Sequence, residues 1–428
     1  MLKAILNAFK VPELRNKILF TLAIIALYRF GAFVPSPGVD HAAARRLTES
    51  SDNVVLLLNL FSGGALTQLA VFGLGIMPYI TASIMMQLLT VVIPKLEEWR
   101  KEGEAGTKKI TQTTRYVTIA LAVLQSTGIT VMAHSGGFSD GSGQPVDLIP
   151  NFTVPRVALI VLTLTAGTAM VMWLGEQISQ RGVGNGMSII IFASIISAMP
   201  VQGQLLQSQM GWAGFSFLML IVGSLVVGIV FIEQGQRRVP VQYAKRMVGR
   251  KMYGGGSTYI PLKINQSGII PIIFASSVLY FPLLVLTVVH WEPLRRFIEN
   301  HLGNQASPVH ILFYGLLVVG FSYFYTAIAF NPVDVADNMK KYGGFIPGIR
   351  PGRATAEHLS FILNRITLPG ALFIASIAIM PGIVLATMGV ESTALFGTSI
   401  LIAVGVSLET MKQVESQLLM RHYEGFLS

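Results

Sequence analysis

Two arginines stand where an arginine can do chemistry. Arg350 lies in the turn Gly348-Ile349-Arg350-Pro351-Gly352, and Arg250 sits between Gly249 and Lys251, just ahead of Gly254-Gly255-Gly256. A guanidinium displayed on such a turn can fork two parallel hydrogen bonds onto a carboxylate or a phosphate. Basic tips of this kind suit RNA phosphates, acidic proteins or anionic lipid. Other chemistry is missing. The chain has no cysteine, so it has no thiolate nucleophile and no thiolate metal site. Its seven histidines are scattered without ligand spacing, and Gly182-Val183-Gly184-Asn185-Gly186 lacks the Lys-Ser/Thr of a phosphate-binding loop. Nothing reads as enzymatic and no cofactor is expected.

The elements that carry these turns belong to a membrane. Of 428 residues 52% are hydrophobic and only 12% charged, with mean hydropathy +0.61. That leaves too little polar surface to cover a soluble globule, for which about 25% charge is usual. Ten apolar segments lie along the chain, at 18–34, 74–93, 116–132, 157–174, 187–199, 215–232, 269–289, 311–330, 368–388 and 395–408. The fifth and tenth are short for helices that cross lipid. The fold class expected is therefore an all-α polytopic membrane protein with ten transmembrane helices. The first residues read as a short amphipathic basic helix at the membrane surface, not as a cleavable signal peptide.

Lys and Arg crowd one side: the N-terminus, the loops after spans 2, 6 and 8, and the tail. Only Arg45, Arg46, Arg156, Arg295 and Arg296 fall on the other, while Arg29 lies near the outer end of span 1, where it can snorkel. The bias places both termini in the cytoplasm. Of the loops on that side, 233–266 carries two β-like runs, RVPVQYA and STYIPLKI, around the Arg250–Lys251 tip, a hairpin signature. The loop 331–366 presents Arg350.

A repeat lies inside the spans. Residues 75–84, GIMPYITASI, match 268–277, GIIPIIFASS, at six of ten positions, and 186–192 match 397–403 at four of seven. Both pairs are five spans apart. Five is odd, so the two five-helix halves, 1–200 and 201–428, must be inverted. Inverted repeats put the functional path at their interface and use interrupted helices there. Pro78 and Pro271 are the interruptions expected. The alignment also pairs Ile80 with Ile273 and Ile191 with Ile402. Span interiors hold almost no Asp, Glu or His, so the path is aliphatic. An aliphatic neck resists ions by dewetting and accommodates a varied, chain-like substrate. The same isoleucines read equally well as ordinary interhelical packing.

Val54 to Ile93 is 40 nearly uncharged residues. As one helix it would reach about 60 Å, twice a bilayer core. A short re-entrant helix followed by one span fits better, and irregular backbone at that depth must be shielded by protein or line a cavity. The segment at about 59–73 therefore reads as a plug in the outer mouth of the pore, the alternative being a static interfacial helix. Its core is Phe61, Ser62, Gly63, Gly64, Ala65, Leu66, Thr67, Gln68, Leu69, Ala70 and Val71.

The stretches NLFSGGALTQLAVFGLGIMPYITASI, GEQISQRGVGNGMSIIIFASI, GGFIPGIRPG and QVESQLLMRHYEGFL closely resemble the SecY family, the channel subunit of the bacterial protein-export translocon. The resemblance runs over essentially the whole chain. It implies a clamshell of two five-span halves hinged between spans 5 and 6, opening laterally between spans 2 and 7. It implies a channel that passes secretory proteins across the plasma membrane and inserts membrane proteins into it. The implied partners are SecE, SecG, the ATPase SecA, the ribosome, signal peptides with their unfolded preproteins, and the bilayer. The family's pore ring carries over onto Ile80, Ile84, Met187, Ile191, Ile273 and Ile402. Met187 departs from the isoleucine common in bacterial members, but is apolar and flexible enough to seal. The family's docking arginines match Arg250 and Arg350. A secondary transporter with inverted repeats is the alternative, and it would need a site of convergent polar groups.

Overall fold

The computed structural model describes residues 9–40, 42–44, 62–135, 146–243, 246–248, 251–253, 257–285, 292–298, 301–302, 307–387 and 396–424. Helix α1 is Pro12–Phe33. After it come α2 (Met77–Val92), α3 (Pro94–Lys101), α4 (Glu104–His134), α5 (Val154–Arg181) and α6 (Gly186–Gln234). Strands β1 (Gln236–Tyr243), β2 (Arg246–Val248), β3 (Lys251–Tyr253) and β4 (Ser257–Lys263) precede α7 (Ile270–Val285). The chain continues through α8 (Glu292–Ile298), α9 (Pro308–Ala329), α10 (Pro332–Lys341), β5 (Gly344–Phe345), α11 (Arg353–Thr387) and α12 (Phe396–Glu424).

Ten helical segments cross the membrane: α1, α2, α4, α5, the two parts of α6, α7, α9, α11 and α12. Helix α6 divides at Gly211, whose φ of 68° and ψ of 177° are non-helical. Seven of the ten are long and apolar enough to span on their own, and α2 joins them if its 98° bend into α3 is counted as one broken span. Helix α7 is apolar but short. Helix α12 is apolar only in its first half, since LETMKQVESQ brings charged and polar residues from Glu409 onward.

The fifth span is longer than its apolar run. The helix continues past Met199 and Pro200 to Gly211, through the glutamine-rich residues 201–210 that ended the hydropathy signal. The tenth runs on to Glu424 for the same reason. At the N-terminus, Phe9 and Lys10 are helical, the chain bends at Val11 and Pro12 starts α1, so the basic residues Arg15 and Lys17 lie on the first turns of the span. Residues 1–8 lie outside the described residues. Leu14 of that first turn packs with Val183 and Val414, joining the start of the chain to α12.

The packing is repeated. In the first half α2 packs on α4, α4 on α5, α5 on α6, and α1 on both α5 and α6. In the second, α7 packs on α9, α9 on α11, α11 on α12, and α6 on both α11 and α12. The halves meet where α2 touches α7. One apolar cluster runs through both, from Ile24 to Val406.

The loop after α6 forms the expected hairpin. Strands β1 and β4 pair antiparallel with Val239 opposite Ile260, and β5 adds to the far edge of β1. Val239, Val241 and Leu262 point to one side and pack with Met339, Ile346 and Leu359, so the stem is anchored on α10 and α11. Beyond the stem β2 and β3 pair with Val248 opposite Lys251.

Candidate pore

The repeat-related joints are built alike. Gly75 and Gly268 both adopt positive φ, 56° and 63°, a region that suits glycine. Three residues on, Pro78 and Pro271 each occupy the second position of a helix, α2 and α7. Proline is tolerated there because the first turn has no intrahelical use for its missing N–H. The prolines mark where irregular backbone gives way to helix.

Each joint delivers an isoleucine to the centre. Ile80 and Ile84 lie one turn apart on α2, Ile191 is on α6, Ile273 on α7 and Ile402 on α12. All five are buried in the central apolar cluster, and Met187 packs against it half-buried. Met187 lays its sulfur over Gly175 of α5, where a Cβ would stand 2.5 Å away. Four helices from both halves thus contribute buried aliphatic side chains to the one extended apolar cluster.

Leu66, Leu69, Phe72, Leu74 and Ile76 of the segment 62–76 belong to the same cluster. Ser62 is helical, residues 54–61 of the expected re-entrant helix lie outside the described residues, and from Gly63 the chain runs in a succession of tight turns, closed by bonds such as Leu69 N–H to Leu66 O and Gly73 N–H to Ala70 O, at 2.9 and 2.8 Å. Positive φ at Gly63, Gly64, Leu69 and Gly75 breaks any helical run. Ser62, Ala65, Leu66, Thr67, Leu69 and Ala70 are buried, while Gly63, Gly64, Gln68 and Val71 are half-buried. Phe61 lies outside the described residues. The segment is stitched to the end of α1 by Ser36 N–H to Leu69 O and Val71 N–H to Val34 O, at 3.0 and 2.8 Å. Tyr28 stacks on Phe72 with ring centroids 5.9 Å apart, and its hydroxyl hydrogen-bonds Ser194 at 2.7 Å. Arg29 does not snorkel. It turns inward and donates from Nη1 to the Gly63 carbonyl at 3.1 Å. An isolated arginine at the end of a span was the only sign of this in the sequence, and that sign does not say which way the side chain turns.

On the basic side Arg350 is exposed in a turn framed by Gly348 and Gly352, both at positive φ. Thr355 Oγ1 donates to its carbonyl at 2.9 Å, which fixes the turn to the start of α11. The Lys251 backbone lies in β3. Arg250 lies outside the described residues, as does the Lys251 side chain. A further arginine joins the halves: Arg100 of α3 donates from Nη2 to the Ile328 carbonyl near the end of α9, at 3.0 Å.

Residues 70–411 match the SecY family profile. The chain belongs to the SecY family. It is 54% identical to the protein translocase subunit SecY of Streptomyces scabiei over 442 residues, covering 100% of both chains. The SecY of Mycobacterium tuberculosis is 49% identical over 445 residues, again with 100% coverage of both. Solved SecY-type channels share the fold. A structure described as a protein conducting channel superposes with TM-score 0.57 at 16% identity, covering 94% of this chain and 91% of the other. One concerning the SecY plug domain gives TM-score 0.60 at 17% identity with the same coverage. The canine Sec61 of a ribosome-channel complex gives 0.54 at 15% identity. The chain is accordingly a protein-conducting channel, a multi-pass bacterial membrane protein of the SecY family. A small-solute transporter with inverted repeats is not favoured.

Proposed function

We propose that the chain conducts unfolded secretory polypeptides across a bacterial plasma membrane and releases membrane segments sideways between α2 and α7. Both termini face the cytoplasm in this reading, with the Lys- and Arg-rich loops. The halves 1–200 and 201–428 move about the connection between the fifth and sixth spans. Ile80, Ile84, Met187, Ile191, Ile273 and Ile402 form the constriction, and residues 61–71 plug its outer mouth at rest. Arg250, Lys251 and Arg350 dock the cytoplasmic partners, SecA and the ribosome, with SecE and SecG completing the channel in the membrane. The observation that supports the reading is that buried aliphatic side chains from four helices of both halves, and apolar residues of the uncharged 62–76 segment, belong to one apolar cluster in a chain of the SecY family. Such a neck excludes ions by dewetting and yields to a chain that displaces its plug.

The test is reconstitution of the full chain with SecE in vesicles, followed by SecA, ATP and a secretory precursor. Protease-protected precursor inside the vesicles is expected. Vesicles that accumulate none, with SecA bound and hydrolysing ATP, would overturn the reading.

A further inference from the structure

The 62–76 segment makes many apolar contacts, and one contact with a charged side chain stands apart because it is crowded on every side. Arg29 of α1 donates to the Gly63 carbonyl at 3.1 Å. Its guanidinium also lies over the Phe33 ring, 5.0 Å from the centroid, so a second group orients it. Gly63 has φ of 64°, and a Cβ built there would stand 2.7 Å from Arg29 Nη1, 3.1 Å from Ser197 Oγ and 3.2 Å from Ser194 Cα. Gly63 is thus pressed between α1 and α6, at a position where a Cβ would be strained by the backbone and would displace the Arg29 guanidinium. One turn up α6, the Ser194 hydroxyl is held by Tyr28, the neighbour of Arg29. The contact is a built joint between α1, α6 and the segment.

We propose that Arg29 is the positioning residue that latches the 62–76 segment in its closed place, so that opening must first break the Arg29–Gly63 bond. The proposal rests on the reading of this segment as the resting seal. The physical grounds are those of charge and burial. A hydrogen bond from a guanidinium to a carbonyl is among the stronger ones in a shielded site. When the segment leaves, the carbonyl goes with it and the guanidinium must find water or another acceptor. The segment's apolar contacts, by contrast, are made with side chains that can close over the space it vacates. Arg29 therefore carries a share of the closed-state preference out of proportion to its contact area. It also explains why a positive charge is kept near the outer end of a span whose other basic residues all lie at the opposite end.

The chain lacks cysteine, so one introduced at the half-buried Gln68 reports a single site. A membrane-impermeant maleimide added on the side of the segment measures how often it leaves, and vesicle ion conductance measures the seal. Arg29→Ala is expected to raise both by about tenfold, the effect of losing one charged hydrogen bond. Arg29→Lys should fall between parent and Ala, because the charge stays but reach and fork are lost. Gly63→Ala attacks the same joint from the other side and should act in the same direction, which guards against an Arg29 variant that does not fold. In a chain lacking residues 62–71, Arg29→Ala should add nothing to the conductance. If the deletion leaks but Arg29→Ala and Gly63→Ala label and conduct like the parent, the latch is wrong. If Arg29→Ala leaks further in the deletion background, Arg29 acts on the pore wall and the latch is again wrong. A deletion that does not leak counts instead against the seal itself.

Discussion

The first and second helices of each half are joined by a long insertion, and the two insertions could hardly differ more. In the first half, the described residues from Gly63 to Ile76 are turns packed among α1, α5 and α6. In the second half, β1 and β4 pair as a hairpin stem whose faces are largely exposed. Yet both end on the same joint, a glycine at positive φ, a proline three residues later and a buried isoleucine two beyond that. Inversion puts the insertions on opposite sides of the membrane, and composition then decides their fate. LFSGGALTQLAVFG carries no charge and can be buried against a pore, whereas QRRVPVQYAKRMVGRK cannot be. In the function proposed above, one topological position, used twice, supplies a seal on one side and a docking surface on the other.

That division of labour is broken most forcefully at Arg350, which the second half presents beside the hairpin stem. Arg350→Glu should nearly abolish SecA-driven translocation while the resting ion conductance of the vesicles stays at the parental level. Arg350→Lys should be intermediate, since it keeps charge but not the bidentate fork. A leak in Arg350→Glu would mean that the basic side also takes part in sealing.

Next in size is the ring itself. Replacing the repeat-related pair Ile191 and Ile402 together with Asn wets the neck and should raise resting conductance severalfold, because the barrier is dewetting and not a charge. The pair Ile80 and Ile273 should do the same. A leak from one pair with silence from the other would show that the halves contribute unequally. The joints can be compared more gently. Gly75→Ala and Gly268→Ala each force an alanine into the left-handed region, at about 1–2 kcal/mol. Matched losses of thermal stability in detergent are expected. A large loss at one site alone would mean that the shared joint is a resemblance of sequence and not of mechanics.

The sequence revealed the spans, the repeat and the hairpin because each rests on a local or periodic signal. Apolar runs long enough to cross lipid mark the helices, and alternating runs beside glycines mark β1 and β4. What stayed hidden depends on contacts between distant residues. The fifth helix reaches Gly211 because a helix, once nucleated and packed, continues through polar residues that hydropathy discards. Residues 63–76 are turns because four backbone positions at positive φ outweigh an apolar composition that either conformation would satisfy. That Ile80, Ile273, Ile191 and Ile402 are buried at corresponding places of the two halves was legible through the repeat. The inward turn of Arg29 was not, since snorkelling and latching require the same residue at the same place.

The smallest effect is expected from the other arginine that bridges elements. Arg100 leaves α3, which turns 98° from α2 and so reaches across to the second half. It donates to the Ile328 carbonyl at 3.0 Å, one of the last carbonyls of α9, which have no intrahelical partner and carry the negative end of the helix dipole. The geometry is that of a clasp between the halves on the basic side. Arg29 and Arg100 thus make the same bond, guanidinium to carbonyl, but Arg100 is exposed and its bond competes with water. An exposed charged contact is worth about 0–1 kcal/mol, so Arg100→Ala should raise separation of α2 from α7 by no more than about fivefold. Disulfide trapping between cysteines introduced into those two helices would measure it. Arg100→Glu should go further than Ala, because it sets a negative charge against the negative end of α9. High salt should shrink the Glu effect but leave the effect of Arg29→Ala on the plug unchanged, as screening reaches surface charges and not shielded ones. If Arg100→Ala opens the channel more than Arg29→Ala does, burial is not what sets the strength of these bonds, and the halves are held together chiefly from the basic side.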